Sequence, residues 1–108
     1  MISGHGLSQQ TVAQITRVLT EFPDVEKAVL FGSRAKGTHR RGSDIDLALA
    51  GHNLDWQTLG RVHSALDDLP TPYRFSLVIL GRKLDSEVAA HISRVGVLLY
   101  ERQPSLVV

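Results

Sequence analysis

Asp44 and Asp46 stand two positions apart in the run Asp44-Ile45-Asp46-Leu47-Ala48-Leu49-Ala50. A strand projects alternate side chains to one face, so the two carboxylates share a face with alpha carbons roughly 7 Å apart, at a rise of about 3.3 Å per residue. Such a pair can grip one metal site. Magnesium takes oxygen ligands, commonly one or two carboxylates completed by substrate phosphates, and paired ions about 3.5 to 4 Å apart serve both the attacking and the leaving oxygen. Upstream, Gly32-Ser33 directly follows the apolar run Ala28-Val29-Leu30-Phe31. At the start of a helical turn their amides face phosphate, and glycine admits close approach. Ser33 adds a hydroxyl, while Arg34, Lys36, Arg40 and Arg41 surround the acidic pair with charge suited to a triphosphate or pyrophosphate. Arg34 is the preferred nucleotide contact among them, and the other three read equally well as a solvated loop. Ser43, beside the acidic pair, either shapes the turn or touches phosphate.

The elements that must position these residues are legible in the flanks. Val12, Ile15, Leu19 and Phe22 recur at helical spacing and predict a first helix from Ser8, its N-cap, to Phe22. Pro23-Asp24 ends it, and Ala28 to Phe31 reads as a buried strand that stops at Gly32. The segment from Gly32 to Ser43 is polar and glycine-rich and suits a loop or a short helical turn. In the next strand Ile45, Leu47 and Leu49 face away from Asp44, Asp46 and Ala48. Asp55 to Leu69 is helical, with a stripe of Leu59, Val62, Leu66 and Leu69 that Pro70 and Pro72 bring to a stop. Tyr73 to Leu80 is a third strand. Asp85 can cap a helix carrying Val88, Ala89 and Ile92, Gly96 falls at that helix's C-terminus, and Val97 to Tyr100 closes the chain as a strand. This order predicts an α/β (α+β) fold, a small mixed sheet of about four strands with helices packed on it. A single domain over residues 1–108 is expected, with its core at about 8–101 and a tail, 102–108, that has no clear period. Short strands leave an exposed edge, so self-association or a hetero-complex is compatible with the sequence.

Composition narrows the function classes. With 43% apolar and 21% charged residues the chain lies in the ordinary globular range. A formal charge of +1 gives no case for a broad surface binding nucleic acid non-specifically. The chain has no cysteine, which excludes disulfides, thiolate zinc sites and a cysteine nucleophile. No stretch approaches the roughly 20 apolar residues of a membrane helix, and a cytoplasmic protein is the expectation. The five histidines, His5, His39, His52, His63 and His91, lack metal-ligand spacing and read mostly as surface residues. Gly32-x4-Gly37 is followed by Thr38 and His39 where a P-loop requires lysine and serine or threonine. Trp56, near a helix start, reads as a packing or interface residue.

Gly32-Ser33, ten intervening residues and Asp44-x-Asp46 together resemble the signature of the DNA polymerase beta-like nucleotidyltransferases. The fuller strings are Leu30-Phe31-Gly32-Ser33-Arg34-Ala35-Lys36-Gly37 and Gly42-Ser43-Asp44-Ile45-Asp46-Leu47. Length, flanks and the closing Gly96-Val97-Leu98-Leu99-Tyr100-Glu101 are similar to the minimal nucleotidyltransferases of prokaryotes. The resemblance implies a polymerase beta palm-like fold in which Asp44 and Asp46 are catalytic and hold magnesium, or alternatively manganese. It implies that Gly32 and Ser33, with Arg34 and Ser43, hold ATP or another nucleoside triphosphate. A nucleoside monophosphate, often AMP, would pass to an acceptor hydroxyl. It further implies a HEPN (higher eukaryotes and prokaryotes nucleotide-binding) protein as partner, within a toxin–antitoxin pair. One position departs from the pattern: the third carboxylate usual on the strand spanning Tyr73 to Leu80 is here Ser76, and no other acid lies on that strand. Asp85 and Glu87 follow its end. Loss of a general base commonly costs about 10² to 10⁴ in rate, which leaves a second reading, a catalytically weakened nucleotide-binding antitoxin.

Overall fold

Alternation of Ile45, Leu47 and Leu49 with Asp46 and Ala48 gives the central strand one wholly apolar face, and that face is buried against helices. The structure, a computed structural model, describes residues 6–38, 40, 44–81 and 83–102. Along the chain run α1 (Gln9–Thr20), β1 (Lys27–Phe31), α2 (Gly32–Lys36), β2 (Ile45–Ala50), α3 (Trp56–Asp67), β3 (Phe75–Ile79), α4 (Ser86–Val95) and β4 (Val97–Glu101). The strands form one sheet in the order β3-β2-β1-β4. β1 is antiparallel to β2 and β4, and β2 is parallel to β3, so the sheet is mixed as the element order implied.

Ile15 and Leu19 of α1 and Leu59, Val62 and Leu66 of α3 meet Ala28, Leu30, Ile45, Leu47, Leu49 and Phe75 from the strands in a continuous core. The stripe residues of both helices recur every three or four positions, and this spacing turns one side of each helix to the sheet. Ser8 caps α1 by accepting the Thr11 amide at 3.1 Å, and Asp55 caps α3 by accepting that of Thr58 at 2.8 Å. α1 stops short of Phe22 because the residue before a proline is pushed out of helical geometry, and Pro23 follows directly. The beginning of the tail is structured: Arg102 gives its main-chain N–H to Glu26 O, and its guanidinium donates to Thr20 O and Phe22 O at 3.1 and 3.2 Å. It thus serves the last carbonyl of α1, Thr20 O, which the helix cannot pair, and Phe22 O in the turn beyond it.

The other face of the sheet carries the cross-strand neighbours Phe31, Asp46 and Ser76, and beside them Val29, Ala48 and Val78. α4 packs over β1 and α2, with Ile92 buried beneath it. Gly96 ends α4, though not in the left-handed conformation usual for a terminal glycine, since its φ is −58°. Space is the reason: a Cβ there would collide with Ile92 O and lie 2.7 Å from Val29 Cγ1. Both outer strands present edges, and on β4 Val97 and Leu98 are 40% and 53% exposed. No helix among the described residues is long and apolar enough to cross a membrane.

Candidate active site

Asp44 is exposed just ahead of β2, and Asp46 is half-buried inside it. In register Asp46 lies between Phe31 on β1 and Ser76 on β3, so the pair sits mid-sheet where β2 and β3 begin and β1 ends. Burial pushes the Asp46 carboxyl above its ordinary range and the charge of Asp44 adds to that. The Ser76 hydroxyl, which donates to Asp46, and the neighbouring His91 pull the other way. Two like charges this close are a feature that a cation relieves.

The Gly-Ser turn meets the carboxylates directly. β1 runs straight into α2, with Phe31 as the extended N-cap and Gly32 at φ +75°. A Cβ on Gly32 would collide with Asp46 Oδ2, so glycine is required twice, by conformation and by the carboxylate. At the far end Gly37, at φ +78°, lets the Thr38 amide reach Ser33 O at 3.0 Å, a Schellman-type closure of the turn. The loop of α2 and strand β2, some ten residues apart in sequence, therefore form one site.

The remaining sequence-predicted residues are divided. Ser33 is half-buried in α2. Arg34 does not extend into solvent: it is 3% exposed, with its guanidinium carbon 4.8 Å from the centroid of the Tyr73 ring. That cation–π contact ties α2 to the segment entering β3. Lys36 and Arg40 are exposed, and Ser43 and Arg41 lie outside the described residues. Ser76 stands beside Asp46 in register, where the third carboxylate was expected, and is itself exposed. Of the two acids that follow β3, Asp85 is engaged as the N-cap of α4, accepting the Glu87 amide at 2.9 Å, and Glu87 is exposed. Among the described residues no group of three or more His, Cys, Asp or Glu is placed to hold a metal. The donor set present is thus two carboxylates, which fits an ion whose coordination is completed by substrate oxygens.

The sequence singled out none of the five histidines, reading them mostly as surface residues, and the structure places His91 against the Gly-Ser turn. Its Nε2 accepts the Gly32 amide at 3.0 Å, and its ring meets Phe31 edge-on with centroids 6.2 Å apart. Fifty-nine residues separate the bonded pair. The one available signal was position, since His91 adjoins Ile92 and follows Val88 by three on the packed side of α4. A cavity of about 370 Å³ lined by Leu54, Trp56, Val78, Ile79 and Leu84 opens at the other end of β3, away from the carboxylates.

Known proteins resemble this chain. The family described as polymerase beta, nucleotidyltransferase matches residues 13–105. A chain of a toxin–antitoxin complex solved with AMP-PNP is 30% identical, with 85% of this chain and 74% of that one covered at a TM-score of 0.62. A chain of the MntA–HepT toxin–antitoxin complex is 25% identical over 88% of this chain and 74% of that one, at a TM-score of 0.59. At 24% identity, a chain from the complex of tri-AMPylated Shewanella oneidensis HEPN toxin with MNT antitoxin shares the fold over 89% of this chain and 74% of that one, at a TM-score of 0.60. No curated protein matches in sequence. With the Gly-Ser turn seated against an aspartate pair on the second strand and the family match spanning nearly all of its length, the chain belongs to the polymerase beta nucleotidyltransferase family.

Proposed function

We infer that this chain transfers a nucleoside monophosphate, AMP from ATP, to a hydroxyl of a HEPN toxin partner and acts as the antitoxin of the pair. The observation that carries this reading is the contact between Gly32 and the Asp46 carboxylate, which makes the phosphate-holding turn and the acidic pair a single site. A similar chain from a toxin–antitoxin complex solved with AMP-PNP, and another from a complex of AMPylated HEPN toxin with MNT antitoxin, support the choice of nucleotide and of partner. The proposed place of action is the cytoplasm, where ATP is made.

Asp44 and Asp46 would hold magnesium, which supplies charge neutralisation on the phosphates when bound. Ser33 and the α2 backbone would hold the phosphates, and Arg34, stacked on Tyr73, sets where α2 stands. In the transfer an acceptor oxygen forms a bond to the alpha-phosphorus, the bond from that phosphorus to the bridging oxygen breaks, and pyrophosphate leaves. The acceptor proton must also leave. Ser76 lies closest to Asp46 on β3 and is not a base at neutral pH. Its presence favours a second reading, in which the chain binds nucleotide and partner and transfers slowly.

The test is transfer from alpha-labelled ATP with magnesium and the HEPN partner, comparing wild type, Asp44→Asn with Asp46→Asn, and Ser76→Asp. Label on the partner from wild type and none from the double variant is the expected result. If wild type is silent and Ser76→Asp is active, by about 10² or more, the second reading holds. Silence from every variant with the partner bound overturns transfer altogether.

A further inference from the structure

The Gly32 amide is already spoken for. It donates to His91 Nε2 at 3.0 Å, so in this chain the first amide of the Gly-Ser turn points to α4. A ring nitrogen that accepts is unprotonated, and the imidazole proton is then on Nδ1. The histidine is itself firmly held. Ile92, its neighbour, is 6% exposed against the sheet. Gly96 brings the end of α4 so close to β1 that a methyl group there would lie 2.7 Å from Val29 Cγ1. Phe31, which leads into the turn, meets the His91 ring at an interplanar angle of 78°. On its other side the turn abuts Asp46, where a Cβ on Gly32 would overlap Oδ2. The turn is thus fixed from one side by a carboxylate and from the other by an imidazole.

We propose that His91 is a positioning residue of this site: its Nε2 anchors the Gly32 amide and so sets the distance between the Gly-Ser turn and Asp46. The donors left to the nucleotide are then those of Ser33 and the rest of α2, and their placement relative to the carboxylates depends on α4. This inference rests on the nucleotide-binding reading given above. Freeing the amide leaves a half-buried donor without its partner and lets the turn shift, and both effects weaken a ligand that spans turn and carboxylates.

The experiment is calorimetric titration of the full chain with magnesium and AMP-PNP, for wild type, His91→Phe and His91→Gln, with melting temperatures recorded alongside. Phenylalanine keeps the ring against Phe31 and removes the acceptor, whereas the glutamine Oε1 can accept the same N–H. The expected result is about tenfold weaker binding by His91→Phe and recovery to within about threefold by His91→Gln. In wild type and not in His91→Phe, a through-hydrogen-bond coupling between the Gly32 and His91 Nε2 nitrogens is expected in the NMR spectrum. Should His91→Phe fail to fold by circular dichroism, His91→Leu carries the same expectation. Equal binding by wild type and His91→Phe, or weaker binding by His91→Gln than by His91→Phe, reduces His91 to packing and overturns the proposal. Tighter binding by His91→Phe makes the imidazole a plug over the amide and overturns it as well. Absence of binding by wild type fails the underlying reading, and the positioning role falls with it.

Discussion

At Gly32 two requirements coincide, a φ of +75° and the Asp46 carboxylate standing where a Cβ would be. Alanine there adopts a conformation that costs about 1–3 kcal/mol and must in addition displace the carboxylate. Gly32→Ala is therefore expected to lower the unfolding free energy by at least that amount and to abolish nucleotide transfer, whereas Gly37→Ala, with open space around its Cβ, costs only the backbone part. Paired urea melts and transfer assays separate the two. Asp46 is predicted to trade stability for function. Burial and Asp44 raise its carboxyl above the ordinary range, so ionising it costs the folded state. Stability from this group is full below the ordinary carboxylate range and is lost as pH rises through the elevated value. Asp46→Asn should accordingly melt above wild type at neutral pH, by no more than about 1 kcal/mol because the half-buried group is screened by solvent. The two proteins should converge in acid. Added magnesium should stabilise wild type and leave Asp46→Asn unmoved, as expected when ligand binds only the folded carboxylate form.

At the scale of elements, the site depends on junctions between elements distant in sequence. The end of α1 is closed by the residue after β4, where the Arg102 guanidinium spans Thr20 O and Phe22 O across some eighty positions. Arg102→Ala removes the guanidinium's bonds to Thr20 O, Phe22 O and Val25 O at and beyond a helix C-terminus and should destabilise by about 1–2 kcal/mol. In thermal melts this is a fall of several degrees, and Arg102→Lys should recover part of it. None of these residues touches the carboxylates, so AMP-PNP affinity measured well below the melt should be unchanged. α4 behaves differently. Its close approach through Gly96 carries His91 to the turn, so Gly96→Ala, which would collide with Ile92 O and crowd Val29, should cost stability and nucleotide affinity together. Elements reported by local pattern were legible in the sequence: Ser8 and Asp85 cap the helices they were expected to cap, and Asp46 alternates with a buried row. The short helix of α2 was open between loop and turn because five residues carry too little periodicity to decide.

For the whole molecule, fold class and the acidic pair were readable because both are written in short-range spacing. Contacts that cross the fold left no such trace. The pairing of Arg34 with Tyr73 makes a buried brace between α2 and the approach to β3, and no spacing rule connects positions so far apart. His91 reaches Gly32 across fifty-nine residues, and a lone histidine on an amphipathic helix is more often solvated than bonded. Ser76 was placed by counting along its strand, and parallel pairing with β2 brings it opposite Asp46. The whole chain is thus a sheet with one face devoted to the core and the other to a site assembled from β1, α2, β2, β3 and α4. The most direct test of that assignment is the intact mass of a HEPN partner co-expressed with this chain or with its Asp44→Asn, Asp46→Asn form. The account predicts a partner heavier by one or more AMP groups with wild type and unmodified with the double variant. A partner of unaltered mass that is nevertheless neutralised by both forms would contradict transfer as the function of this site.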